Sequence, residues 1–178
     1  MAHLILPDQA YLVACFSYDR ETGALVWRYR PREHFASTRT QNVWNARFPG
    51  TIAGKVSEEG YINIYVNGKG YLAHRLIYKF VTGEEPDHID HRKTKSNAWE
   101  NLRNSTAQQN ARNRKTHDNS TSGLKGAHHN GGRSKRFKAT ICIDGKTIYL
   151  GIFPTPELAH AAYCAAAREH FGEFWNAG

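Results

Sequence analysis

Apolar and polar residues alternate with a period of two through Gly60-Tyr61-Ile62-Asn63-Ile64-Tyr65-Val66. Asn67-Gly68 follows, the strongest short signal for a tight hairpin, so the chain is expected to return as a strand through Tyr71-Leu72-Ala73. From His74 to Val81 the spacing becomes helical, with Leu76, Ile77 and Phe80 on one side and Gly83 as the stop, which predicts a short helix. Nearer the start, an apolar stretch from Ala10 to Phe16 leads through a turn at Tyr18-Asp19-Arg20-Glu21-Thr22-Gly23 into Leu25-Val26-Trp27, a small hairpin. Residues 30–50 are polar and irregular in pattern.

Ser105-Thr106-Ala107-Gln108 fits a capping box, in which a Ser side chain and a Gln three residues later satisfy each other's backbone donors. A helix is therefore expected from about Thr106, with Asn110 in its second turn and Arg112, Arg114 and Lys115 beyond. Residues 116–123 have linker composition and divide the chain into regions 1–115 and 124–178. Past the linker, Phe137, Ala139, Ile141 and Ile143 alternate with Lys138, Thr140 and Cys142, and Asp144-Gly145 turns the chain into a second strand from Thr147 to Phe153. Thr155 as cap, Pro156 at the first helical position and Glu157 in the first turn open an alanine-rich helix that ends near Gly172. Leu158, Ala161, Ala162, Ala165 and Ala166 give that helix a smooth stripe to lie against the sheet. The other sheet face, with Lys138, Thr140, Thr147 and Tyr149, is left uncovered: either an ordinary half-solvated surface or one able to enter a DNA groove. The fold class is α+β.

The chain has 178 residues, 40% of them apolar and 22% charged, enough to bury a core, which excludes a disordered tail protein. No apolar run is long enough to span a membrane and no basic-then-apolar leader opens the sequence, so a soluble intracellular protein is expected. Cys15, Cys142 and Cys164 are odd in number and far apart, without a C-x-x-C, and read as buried small hydrophobes. The net charge of +8 is unevenly placed. Residues 1–90 balance ten basic side chains against ten acidic ones, whereas residues 91–138 hold twelve basic against two acidic. Such a segment is either a solvated basic loop or a track for a phosphate backbone, and its Asn, Gln, Ser, Thr and His content favours nucleic acid.

Candidate chemistry lies in Asp87-His88-Ile89-Asp90-His91, then Asn97, Asn101-Leu102-Arg103 and Gln109-Asn110. Phosphodiester hydrolysis needs an activated water, a cation on the phosphoryl oxygens and stabilisation of the departing oxygen. A histidine can serve as base, while a neighbouring carboxylate and a helix-borne amide oxygen suit a hard ion such as magnesium or manganese. In a regular strand Asp87 and His88 point to opposite faces, so the pair works only at a strand end or bulge. Each residue also has a plain reading: surface polarity for Asp-His, a loop residue for His91, a cap for a helical Asn. His88-x-x-His91 with His128-His129 could also invite zinc, but no spacing completes a four-ligand set.

The run Asp87-His88-Ile89-Asp90, ten residues, Asn101-Leu102-Arg103 and Gln109-Asn110 resembles the HNH endonuclease motif of the ββα-metal fold, in the variant ending in Asn. The Gly60–Gly68 hairpin and Ala73-His74-Arg75-Leu76 resemble the lead-in of phage and intron-encoded HNH homing endonucleases. Residues 123–176, from Gly-Leu-Lys-Gly through Tyr149-Leu150-Gly151-Ile152-Phe153 to Gly172-Glu173-Phe174, resemble the Apetala/ethylene-response-factor type of DNA-binding domain, a small three-stranded antiparallel sheet packed on one helix. The resemblance implies His88 as general base, Asp87 and Asn110 as ligands of one divalent ion, Mg2+ or Mn2+, and Asn97 or Asn101 as the middle residue that braces the loop. Imidazole titrates near ~6.5, which suits proton acceptance at neutral pH. The stretch between Asp90 and Asn101 is one residue longer than usual, and His91-Arg92 replace the common Gly-Asn turn.

The expected partner is double-stranded DNA, contacted by Arg112, Arg114, Lys115, Lys125, His128, His129, Arg133, Arg136, Lys138, Thr140, Thr147 and Tyr149. No membrane and no small-molecule cofactor is expected. The resemblance implies a site-specific, metal-dependent homing endonuclease, a monomer that nicks one strand or a homodimer that cuts both, acting in the cytoplasm of a bacterial host if phage-encoded. The other readings are a DNA-binding protein whose HNH region is catalytically idle and, more weakly, an RNA-binding protein.

Overall fold

Local pattern and tertiary context agree best where turn chemistry is strict. In the computed structural model, which describes residues 4–92, 94–112, 120, 122–131 and 135–177, Asn67 and Gly68 both take positive φ, 51° and 74°. A two-residue hairpin of the primed type demands that pair of conformations. The chain divides into two compact units, Met1–Ser105 and Thr106–Gly178.

In the first unit the apolar stretch near the start is a helix, α1 (Gln9–Cys15), running directly into β1 (Phe16–Tyr18), which pairs antiparallel with β2 (Leu25–Trp27). Residues 30–50 are more regular than their pattern implies, because α2 (Thr38–Asn45) forms there behind a capping box in which Ser37 and Thr40 bond each other's backbone N–H groups. β3 (Lys55–Val56), β4 (Ile62–Val66) and β5 (Lys69–Leu72) make a three-stranded antiparallel sheet in that order. Next comes α3 (Ala73–Thr82), stopped by Gly83 at φ 77°. A second antiparallel pair, β6 (His88–His91) and β7 (Leu102–Ser105), closes the unit.

One core joins these pieces. Leu12, Cys15, Phe16, Ile64, Leu76 and Ile77 are almost wholly buried, and Ile89 and Leu102 bring the β6–β7 pair onto the same cluster. Each such side chain contributes roughly 1.5–3 kcal/mol of transfer free energy. Arg30, only 4% exposed, lies inside this unit with its guanidinium over the rings of Phe35 and Trp44, 4.9 and 5.0 Å from their centroids. It donates to Asn67 Oδ1 at 3.0 Å and to the Tyr11 hydroxyl, so the polar 30–50 segment is tied to the hairpin turn by a buried cation.

The second unit begins with α4 (Ala107–Arg112). Its capping box sits one residue later than Ser105/Gln108: the Thr106 hydroxyl accepts from Gln109 N–H at 3.2 Å, and Gln109 Oε1 accepts from Thr106 N–H at 2.9 Å. Ser105 is unavailable because it ends β7, where its hydroxyl reaches the His88 carbonyl. β8 (Ala127–His129), β9 (Phe137–Ile143) and β10 (Lys146–Phe153) form the expected three-stranded antiparallel sheet, in order β10-β9-β8, and α5 (Pro156–Phe171) packs on one face. The Asp144-Gly145 turn again pairs two positive φ values, 50° and 78°.

The buried stripe of α5 is Ala159, Tyr163, Ala167 and Phe171, rotated from the expected one, and Leu158 is 50% exposed. Tyr163 and Phe171 reach Ile141 and fill space that alanines cannot, so they set the helix rotation. Of the three cysteines only Cys15 is buried; Cys142 is exposed, because its position in β9 faces away from α5. Among the described residues no helix is long and apolar enough to cross a membrane.

Candidate functional site

The pairing register of β6 and β7 sorts the residues of Asp87-His88-Ile89-Asp90-His91 onto two faces. Ile89 and His91 lie opposite Asn104 and Leu102, toward the core; His88 and Asp90 lie opposite Ser105 and Arg103 on the other face. On that second face Asp90 is 3% exposed, and its Oδ2 accepts from Arg103 Nε at 2.9 Å and Nη2 at 2.6 Å. This is a buried two-pronged ion pair of the kind that fixes geometry. His88 stands on the same strand face, one cross-strand row away.

Asp87 precedes the strand. That position removes the alternation that would send its side chain the opposite way, and its Oδ1 lies 3.2 Å from His88 Nδ1. The geometric demand made by the Asp-His dipeptide is met at a strand end. The Asp87 side chain is 65% exposed and that of His88 26%, so the pair opens to solvent above a buried floor.

The two asparagines expected as alternatives for the middle position do different things. Asn101 donates through Nδ2 to the carbonyls of Thr94 and Ser96, at 2.6 and 2.7 Å, and so ties down the turn between β6 and β7. Asn97, 6% exposed, accepts through Oδ1 from His91 Nε2 at 3.2 Å, while its carbonyl accepts from the Tyr18 hydroxyl at 2.8 Å. The first hairpin buttresses the same loop: Trp99 N–H donates to the Arg20 carbonyl at 3.0 Å. At Gly23, φ 78°, an added Cβ would stand 2.2 Å from the Asn97 carbonyl carbon, so this turn requires glycine.

Sequence reasoning missed the cluster on the core side of this hairpin. His74 from α3 packs edge-on to His91, ring centroids 4.8 Å apart, and Tyr61 lies against both. Burial, with His91 and Arg75 adding to it, drives the His74 pKa down to about 3, and burial lowers that of His91 as well. Only the β6–β7 register and the α3 contact bring these residues together, and no local spacing signals them. The Asp90–Arg103 pair was invisible for the same reason.

In the second unit, Asn110 is half-buried on α4, its N–H bonded to the Thr106 carbonyl at 2.9 Å. The register of the sheet sets His128 opposite Lys138, Tyr149 opposite Thr140 and Thr147 opposite Cys142 on the face away from α5. Lys138, Thr147, His128 and Tyr149 are exposed there, Tyr149 by 59%, and Arg136 is exposed just before β9. His129 departs from this set: it pairs with Phe137, ring centroids 5.1 Å apart, on the other face. Lys125 departs too, since its ammonium donates to the carbonyls of Arg112 and Asn176, at 2.6 and 3.3 Å, and burial lowers its pKa. Arg114, Lys115 and Arg133, with residues 116–119 and 121 of the expected linker, lie outside the described residues. A cleft of about 540 Å³ runs between α4 and the sheet, lined by Gln108, Arg112, His128, Thr140 and Thr147 among others.

Residues 71–112 match the family model of the HNH endonucleases, a span from β5 to the end of α4 that includes Asp87, His88, Asn97, Asn101 and Asn110. Over 125 residues, 67% of this chain, the sequence is 37% identical to an uncharacterized HNH endonuclease of Acanthamoeba polyphaga mimivirus. The chain spans 63% of the length of that relative. No solved structure matches the chain.

Proposed function

We propose, with the HNH segment as premise, that this chain is a site-specific DNA endonuclease of the homing type, which hydrolyses phosphodiester bonds with one divalent ion and nicks one strand. The observation that carries the reading is the Asp87 carboxylate set 3.2 Å from the His88 imidazole at the solvent-facing start of β6. Nδ1 faces the Asp87 carboxylate, so Nε2 is the nitrogen left to accept the proton of an attacking water. The buried Asp90–Arg103 pair holds the strand beneath His88, and Asn101, tied to two carbonyls of the following turn, supports a reading of it, ahead of Asn97, as the middle residue of the motif.

The donor chemistry fits a hard ion. Asp87 offers an exposed carboxylate and Asn110 an amide oxygen. Among the described residues no three His, Cys, Asp or Glu side chains gather into a metal-holding group. Mg2+ or Mn2+ bound by Asp87 and Asn110 would polarise the phosphoryl oxygens and stabilise the departing oxygen.

Recognition of double-stranded DNA falls to the second unit, read as a sheet-based module like the Apetala/ethylene-response-factor type. Lys138, Thr140, Thr147, Tyr149 and His128 form its exposed face, with Arg112, Arg136 and, from the sequence, Arg114, Lys115 and Arg133 as phosphate contacts. One His88 per chain makes a monomer a nicking enzyme. The test is supercoiled plasmid carrying the native target, incubated with Mg2+, Mn2+ or EDTA. Relaxed circles with metal only are expected; linear product would indicate paired active sites. Intact plasmid with tight, metal-independent binding would overturn the nuclease reading in favour of an idle DNA-binding module.

A further inference from the structure

We propose that Asp144 is a positioning residue for Asn110, so that the turn between β9 and β10 holds the helix that bears a metal ligand. The inference rests on the reading of Asn110 as that ligand. Helix α4 has six residues, too few to persist alone in water. Its fixation comes from the second unit. Asp144 Oδ1 accepts from Gln108 Nε2 at 3.1 Å and from Arg112 Nη2 at 3.3 Å, side chains one helical turn apart gripped by one oxygen. The Arg112 guanidinium is also laid over the Phe171 ring, 4.3 Å from its centroid. At the helix end, the Lys125 ammonium takes up the Arg112 carbonyl, one of the terminal acceptors a helix leaves unbonded.

Gln108 and Arg112 are each two residues from Asn110, and residues so spaced do not share a helix face. The clamp thus holds the back of α4 and leaves the Asn110 side for its ligand. An exposed ion pair contributes little to global stability, and the Asp144 side chain is 79% exposed, so the expected effect is local order in α4.

Two variants of the full-length chain separate the acceptor from the turn. Asp144→Gly suits the positive φ of this position but deletes the acceptor; Asp144→Asn keeps Oδ1. In metal-free protein, hydrogen exchange of the Asn110 amide should quicken about tenfold in Asp144→Gly, and Mn2+ added alone should bind roughly tenfold more weakly by titration of free Mn2+. Asp144→Asn should resemble the parent in both, and the melting temperature should hold in all three. Unchanged exchange and Mn2+ affinity in Asp144→Gly would overturn the clamp. If Asn110→Ala binds Mn2+ as the parent does while Asp144→Gly still loosens α4, the clamp exists but the ligand assignment fails, and the proposal falls with it.

Discussion

The β6–β7 pair and the β8–β10 sheet are both small antiparallel structures rich in polar residues, yet they treat those residues in opposite ways. In β6–β7 and its loop, Asp90, Arg103, Asn97 and Ser105 are all under 10% exposed, with Asp90 bonded to Arg103, Asn97 to the His91 ring and Ser105 to the His88 carbonyl. On the β8–β10 sheet, Lys138, Thr147 and Tyr149 stand in solvent on a common face. A buried, hydrogen-bonded set costs desolvation and returns fixed geometry, which a proton-transfer site needs. An exposed set keeps its rotamers and counterions until a polyanion displaces them, which suits reading a groove and tracking phosphates.

The sharpest way to break this contrast is Asp90→Ala, which removes the buried carboxylate that Arg103 Nε and Nη2 both bond. The first unit should lose ~3–5 kcal/mol by chemical denaturation while the second keeps its own transition. Acid should act on the same side. His74 is held neutral by burial with a pKa of about 3, whereas in the unfolded chain it protonates near ~6.5. Unfolding therefore takes up a proton between those values, and first-unit stability should fall as pH drops through that window, by at most about 1.4 kcal/mol per pH unit. His74→Gln should flatten that dependence in urea titrations at pH 7, 6 and 5. Gly23→Ala places a Cβ against the Asn97 backbone at positive φ, and should cost ~1–3 kcal/mol in the same assay while slowing cleavage more than it weakens binding. The mildest changes belong to the exposed sheet: Arg136→Ala or Lys138→Ala should each reduce the salt slope of DNA binding by about 0.9 with no change in melting temperature.

The same contrast explains what was legible in the sequence. The Asn67-Gly68 and Asp144-Gly145 turns, the stop at Gly83 and the Thr155-Pro156 helix start are local devices, and the structure has them where the pattern puts them. The exposed face of β9 and β10 was legible too, because period-two alternation sorts inside from outside without knowledge of the partner strand. What the pattern hid depends on distant partners. α2 needed the Ser37–Thr40 cap, and the rotation of α5 was decided by Tyr163 and Phe171. The partners of Asp90 and His91 became visible only with the register of β6 against β7. Lys125, read as a phosphate contact from charge alone, spends its ammonium on two carbonyls.

The most direct test of the division between a chemical site and a reading surface is His88→Ala measured against Tyr149→Ala on one target plasmid, with single-turnover cleavage and DNA affinity followed in parallel. His88→Ala should slow cleavage by roughly 10²–10⁴-fold at unchanged affinity, whereas Tyr149→Ala should weaken binding and leave the rate at saturating protein intact. Cleavage by His88→Ala at the parental rate would contradict the account.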